Sequence, residues 1–485
     1  MKITRKSRRF VIAALLLSSS PFVAAADDAE ALLRRASTAM GADNLKTLRY
    51  VGSGSGASFG QAFVPGLPWP KLNYSRYERQ LDYDKVFISE QVRRSRAEPK
   101  GGGAVPLTGE AAFGGVASAT HAWNLAGPIP VPRNAALASR LHDLWITPHG
   151  VVKAAINAKA TMEFRTEGNR SLAAVSFAVP GVMTATAFIS DTYMVERVES
   201  RVPDAVLGDT AVVTTYADYR DHSGLKFPAR IEQTQAGSMV LSITVSEVVP
   251  NTEVNSAVPE NVAKAAERVV AEKAADGVWF LAGGSHNSAA IEMSDHVILV
   301  ESPLGDERGN LVIQEVKKLI PGKPIRYVVN SHNHFDHSGG LRAAVAEGAA
   351  VVVQSQSKPY FEKAFANPNK IAPDLLAKSG KQAKVIGVAE RMTMKDASRT
   401  VEIHRIKDSV HADTFLMVYL PKEKLLVEAD VYTPLPPNAP VPTPPNALNV
   451  ELVRNIERLK LDIDRILPLH GRIVPLAELH RTVGK

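Results

Sequence analysis

The sequence contains no cysteine among its 485 residues. That excludes disulfides, thiolate metal sites and cysteine nucleophiles, so any metal must be held by His, Asp, Glu or water. A membrane-spanning run is also lacking: the apolar stretch at residues 10–17 is shorter than the roughly 20 residues a bilayer requires. A strong charge of one sign is missing too, once the first 26 residues are set aside. They hold five basic residues (Lys2, Arg5, Lys6, Arg8 and Arg9) and no acidic one, so 57 − 5 = 52 basic residues face 50 acidic ones in the remainder. Nothing in that balance points to nucleic acid.

What is present begins with those 26 residues. A basic start, an apolar core and the small residues Ala24, Ala25 and Ala26 have the three-part layout of a secretory signal cleaved after Ala26. Ser7-Arg8-Arg9-Phe10-Val11-Ile12 resembles a twin-arginine export signal. The expected location is therefore periplasmic or secreted, with no stable membrane span after signal removal.

The length predicts two domains. Residues 27–255 form the first. Helical spacing occurs over 29–40 and again over 134–158, where Pro148 and Gly150 interrupt it. Residues 50–130 are rich in Gly, Ser, Ala and Pro, and Gly101-Gly102-Gly103 reads as a flexible loop. From 160 to 248 the period is two, with strands expected at 160–166, 172–178, 183–189, 192–199, 211–217, 226–234 and 238–247. This predicts an antiparallel-β-rich α+β domain. Its strand-and-turn pattern, as in YADYRDHSGLKFPARI, resembles the LolA-like periplasmic lipoprotein carriers and implies a ligand-holding or accessory role. His121, His142, His149 and His222 are scattered through it and read as surface or capping residues. Residues 256–266 read as a linker.

Residues 267–485 intersperse strands with helices, the mark of a layered α/β domain. An apolar strand at 325–329 leads directly into His332, Asn333, His334, Phe335, Asp336 and His337. Three imidazoles and a carboxylate so close together are the usual ligands of a zinc-like ion. Downstream, His411, Asp430 and His470 each adjoin an expected strand end. His286 lies in a loop between early strands and is a candidate substrate contact. His404 reads as structural, and the proline-rich run 434–445 as a stiff surface loop.

The order HxHxDH, a lone His, an Asp after an apolar strand and a His-Gly near the C-terminus resembles the metallo-β-lactamase-fold hydrolase superfamily. The resemblance implies an αβ/βα four-layer sandwich and two Zn2+ ions, with iron as the alternative metal. It assigns His332, His334 and His411 to one ion, and Asp336, His337 and His470 to the other. Asp430 bridges the two, and Asp336 also orients the nucleophile. It implies a metal-bound hydroxide cleaving a carbonyl C–O, C–N or C–S bond of a small-molecule lactone, lactam, ester or thioester. The absent thiolate and the bridging Asp430 lean away from the zinc β-lactamases toward lactonases, thioesterases and other ester or amide hydrolases. Glu301, where aspartate is common, is expected to play a supporting part. Two other readings stay open: a mononuclear iron oxygenase of sulfur compounds on the same fold, and a periplasmic binding protein with a secondary metal site. The sequence sets neither the substrate nor the oligomeric state.

Overall fold

The computed structural model describes residues 24–103, 105–125 and 127–485. The leader read at 1–26 lies outside the described residues up to position 23. Among the described residues, no helix is long and apolar enough to cross a membrane.

The N-terminal half is one thirteen-stranded antiparallel sheet. Its first strand, Thr47–Ala57, pairs with its last, Ser238–Pro250. The hairpins Lys71–Asp82, Phe87–Arg96 and Glu110–Ala117 extend it one way, and the meander from Leu225–Gln235 back to Thr161–Glu167 extends it the other. The meander's turns follow their chemistry. Ser223 and Gly224, both at positive φ, close a two-residue hairpin in which His222 faces Leu225. Helices Ala24–Ala39, Leu137–Trp145 and Pro148–Asn157 cover one face, around a core that includes Leu33, Tyr50, Leu144, Val151 and Phe227. Leu137–Trp145 touches Phe87–Arg96 on one side and Val195–Asp204 on the other, so the sheet curls round it.

Two expectations for this half are corrected. The Gly-, Ser-, Ala- and Pro-rich stretch, for which no strand bounds were expected, carries six strands from Thr47–Ala57 to Val131–Pro132. Their period is masked because inward positions hold polar groups: Arg79 is buried between Glu90 (2.7 Å) and Asp143 (2.9 Å). His142 and His149 are core residues, bonded to Ser200 Oγ (2.8 Å) and the Lys226 carbonyl (3.1 Å).

The C-terminal half has two sheets packed face to face. In the first, Val270–Ala275, Val278–Ala282, Ser288–Glu292 and Val297–Val300 run antiparallel; Ile325–Val329, Ala350–Gln354 and Val385–Val388 then continue it in parallel. The second is Arg391–Lys395, Thr400–Arg405, Leu416–Leu420, Leu425–Glu428, Arg465–Pro468 and Val474–Pro475. Phe280, Ile298 and Val352 meet Ile403, Phe415 and Leu426 between them. Strands such as Val297–Val300, VILV, are apolar throughout because both faces are covered. Outside the first sheet lie Asp306–Leu319, Leu341–Glu347 and Lys358–Ala366. Asp306–Leu319 carries acids in its first turn and lysines in its last, complementing the helix dipole. Ala447–Leu459 and Leu476–Thr482 pack against the second. The four layers are those expected. Arg391–Lys395 and Arg465–Pro468 had no clear sequence signal: one is a polar edge strand, the other four residues ending in proline.

Candidate metal centre

The site sits where strands of both sheets end. Ile325–Val329 delivers residues 330–334, and a short helix, Phe335–Ser338, turns Asp336 and His337 inward. Leu425–Glu428 delivers Asp430, which adopts a positive φ of 49°. Arg465–Pro468 delivers His470, and the loop before Leu416–Leu420 delivers His411.

Two donor groups result. In the first, His332, His334, His411 and Asp430 each offer an atom within 4.8 Å of all the others. His332 Nε2 is 2.9 Å from His334 Nδ1 and 3.2 Å from His411 Nε2, and Asp430 Oδ2 is 2.7 Å from His411 Nε2. In the second, His286, His337 and His470 approach one another as closely. Asp430 Oδ1 reaches this group too, 3.0 Å from His337 Nε2 and 2.6 Å from His470 Nε2. That oxygen is buried and makes no hydrogen bond despite both neighbours. Ring nitrogens crowd shared points, and the buried Asp430 Oδ1 among them has no hydrogen-bond partner, which is the donor arrangement a cation takes up. The donor set fits divalent metal on both sides of Asp430.

Electrostatics agree. Burial pushes His332 down to about 3, His286 to about 4, and His334 well below the usual imidazole range, leaving these rings neutral donors. Burial works against ionising Asp430 and Asp336, but the charge of His337 outweighs it and holds both well below the carboxylate range. The same carboxylates, with Glu301, overcome burial and raise His337, so its Nε2 carries a proton that an ion bound at that point would have to displace.

The supporting contacts fix which nitrogen points inward. Glu301, fully buried, accepts from His337 Nδ1 at 3.0 Å and from the Ser331 backbone N–H. The Ser285 carbonyl accepts from His470 Nδ1 at 2.7 Å. Each therefore presents Nε2 to the centre.

All seven candidate ligands thus converge, with differences of placement. Asp336 belongs to neither tight group. Its Oδ2 lies 3.3 Å from His286 Nε2, and its Oδ1 accepts from Gln61 Nε2 at 2.8 Å. His286, read as a substrate contact, is only 5% exposed and stands among the donors. His332 and His337 side chains are fully buried, whereas Asp336 keeps 27% exposure and His470 21%, so access is from the Asp336–His470 side. Ser285 also lines a cavity of about 530 Å³ between the two halves, with Arg133, Arg268 and Leu304. His404 bonds Glu402 within its strand and is structural as expected. The run 434–445 is largely exposed; Pro434 lies beside Gly471, and the Leu435 carbonyl accepts from Arg472 at 3.4 Å, so its start borders the His470 loop. A third group, Asp295, His296 and Asp396, is tied up by Arg326, 2.8 Å from Asp295.

Gln61 had no sequence signal, lying in a stretch without periodicity. The glycine tract did carry one, though not the one read: it is pinned rather than flexible. Gly101 N–H donates to the Val410 carbonyl at 2.9 Å, and a Cβ on Gly102 would fall 2.2 Å from His334 Cε1. Consecutive glycines here mark a close approach of backbone to a candidate ligand, His334.

The sequence of residues 281–470 matches the metallo-beta-lactamase superfamily model. A comparison with curated protein sequences gives no match. Among solved structures the chain is similar to the DIM-1 metallo-beta-lactamase, at 17% identity over 45% of this chain and 96% of that one, with a TM-score of 0.34. It is similar to a metallo-beta-lactamase from Pontibacter korlensis, at 18% identity over 45% and 98%, TM-score 0.32. It is also similar to FIM-1 from Pseudomonas aeruginosa in its mono-zinc form, at 19% identity over 45% and 94%, TM-score 0.32. Residues 281–470, with the four-layer fold and the donor groups they carry, are a metallo-beta-lactamase superfamily domain.

Proposed function

We propose that the protein is an exported hydrolase holding two divalent ions, zinc by preference, that cleaves a carbonyl C–O, C–N or C–S bond of a lactone, lactam, ester or thioester. The observation that carries this reading is Asp430, whose two oxygens face two separate histidine groups. His332, His334, His411 and Asp430 Oδ2 would hold one ion. His337, His470 and Asp430 Oδ1, with Asp336 and His286 adjoining, would hold the other. Ions bound there supply Lewis acidity, bringing a coordinated water near neutral pKa and polarising a carbonyl.

The chain's own residues do the rest. Glu301 and the Ser285 carbonyl hold their imidazoles in the tautomer that donates inward. Asp336 is ionised and is the most exposed carboxylate of the set, so it accepts a hydrogen bond from a water entering on the open side. Substrate meets this face first, beside the cavity that Ser285 lines. Two donor groups favour two ions over a single iron.

Metal analysis of natively loaded protein tests the reading together with a zinc-loaded screen of lactams, acyl lactones, thioesters and simple esters. Two zinc ions per chain and turnover of at least one class, abolished in His334→Ala, are expected. One iron and no zinc would overturn it. The export reading predicts a mature N-terminus at Asp27, checked by mass spectrometry of the protein from its native compartment.

A further inference from the structure

The N-terminal half, which carries no catalytic motif of its own, builds part of the metal centre. The segment 58–70, between strands Thr47–Ala57 and Lys71–Asp82, lies across the ligand-bearing loop. Phe335 N–H donates to the Gly60 carbonyl at 3.0 Å, and Asp413 N–H to the Phe63 carbonyl at 2.9 Å. The Ala62 carbonyl accepts from Asn333 Nδ2 (2.9 Å) and from His334 Nε2 (3.2 Å). A carbonyl can only accept, so Ala62 fixes the tautomer of His334 and leaves Nδ1 facing His332 and His411. Phe59 and Trp69 enclose the Phe335 ring at 5.4 and 5.6 Å between centroids. Gly102 N–H donates to the Gln61 carbonyl at 3.2 Å, which holds residue 61 against the site.

Gln61 is the residue of this segment that touches a carboxylate of the centre. Its Nε2 donates to Asp336 Oδ1 at 2.8 Å. Asp336 is partly exposed and stands outside the tight donor groups, so its orientation depends on what grips it. With Oδ1 committed to Gln61, Oδ2 is the oxygen turned toward His286 and the group formed with His337 and His470.

We propose that Gln61 is a positioning residue for the second metal: through Asp336 Oδ1 it presents Oδ2 as the donor, making the N-terminal half an obligatory part of the metal site. This rests on the reading that Asp336, His337 and His470 hold an ion. Cobalt(II) titration of the full mature chain, followed by the visible spectrum and chelator competition, tests it without reference to substrate. In wild-type protein two equivalents are expected to bind. Gln61→Leu, nearly isosteric but without the donor, is expected to weaken the second equivalent by about 10–100-fold and leave the first unchanged. Gln61→Asn, which withdraws the amide by one methylene, is expected to do the same and serves if the leucine variant does not fold. In an Asp336→Asn background Gln61→Leu is expected to add no further loss. Wild-type affinities for both equivalents in the Gln61 variants would overturn the positioning role. Failure of wild-type protein to take up a second equivalent would instead overturn the two-metal reading beneath it.

Discussion

Replacing Glu301 by glutamine isolates what a single buried carboxylate does for the centre. Glu301 is fully buried and at a φ of 66°, one oxygen on His337 Nδ1 at 3.0 Å and the other on the Ser331 backbone N–H. Glutamine keeps the shape. Its amide oxygen can accept from only one of these two donors, and its amide nitrogen then faces the other. If Ser331 keeps the oxygen, His337 Nδ1 must accept, and its proton moves to Nε2, the atom 3.0 Å from Asp430 Oδ1. The lone pair then points away from the centre. A hydrogen bond to a charged partner is worth about 1.5–3 kcal/mol, which corresponds to roughly a 10–150-fold loss in affinity. The loss is expected in the second metal equivalent, measured by chelator competition, while the first, which does not use His337, holds. Unchanged affinity at both sites would refute the reasoning, as would equal losses at both.

Three further outcomes follow from other contacts. Gly102→Ala places a methyl 2.2 Å from His334 Cε1, so the first metal equivalent is expected to weaken and stability to fall by about 1–3 kcal/mol, read by cobalt titration and urea denaturation. Phe335→Ala removes the ring that Phe59 and Trp69 enclose, costing about 3 kcal/mol at the low end of core truncations, since the ring is only partly buried. His149, stacked on Phe227 in the N-terminal core, is pushed by burial from 6.5 to about 4. Between those values the unfolded chain binds a proton that the folded chain refuses. Stability is therefore full above pH 6.5 and falls by about 3 kcal/mol as pH drops to 4. His149→Phe is expected to remove that part of the decline, and an unchanged pH slope in urea unfolding would refute it.

Several strands of the C-terminal half were legible because they are short, apolar on both faces and bounded by turns, as in Val297–Val300 and Ala350–Gln354, whereas the polar edge strand Arg391–Lys395 was not. The meander of the N-terminal half was legible because alternation survived along Met183–Ile189 and Ser238–Pro250. It failed along Lys71–Asp82, where the inward positions include Arg79 and the stabilising partners, Glu90 and Asp143, are distant in sequence. A hydrophobic count cannot see a buried ion pair, and such a strand reads as a loop.

The centre divides along the same line. Its candidate ligands announce themselves because metal chemistry restricts them to a few residue types on neighbouring strand ends. The groups that orient those ligands are under no such restriction. A backbone carbonyl, as at Ala62 and Ser285, does the work with any side chain attached, and Gln61 lies 275 residues from the carboxylate it grips. Phe335 shows the consequence. Inside HNHFDH it has no role as a donor, and in the structure its ring seats the ligand loop against Phe59 and Trp69 of the other half. The motif's one apolar position therefore registers the N-terminal half on the metal site. A truncated C-terminal half would expose that ring, lose the Ala62 carbonyl from His334 Nε2, and free that imidazole to adopt the wrong tautomer.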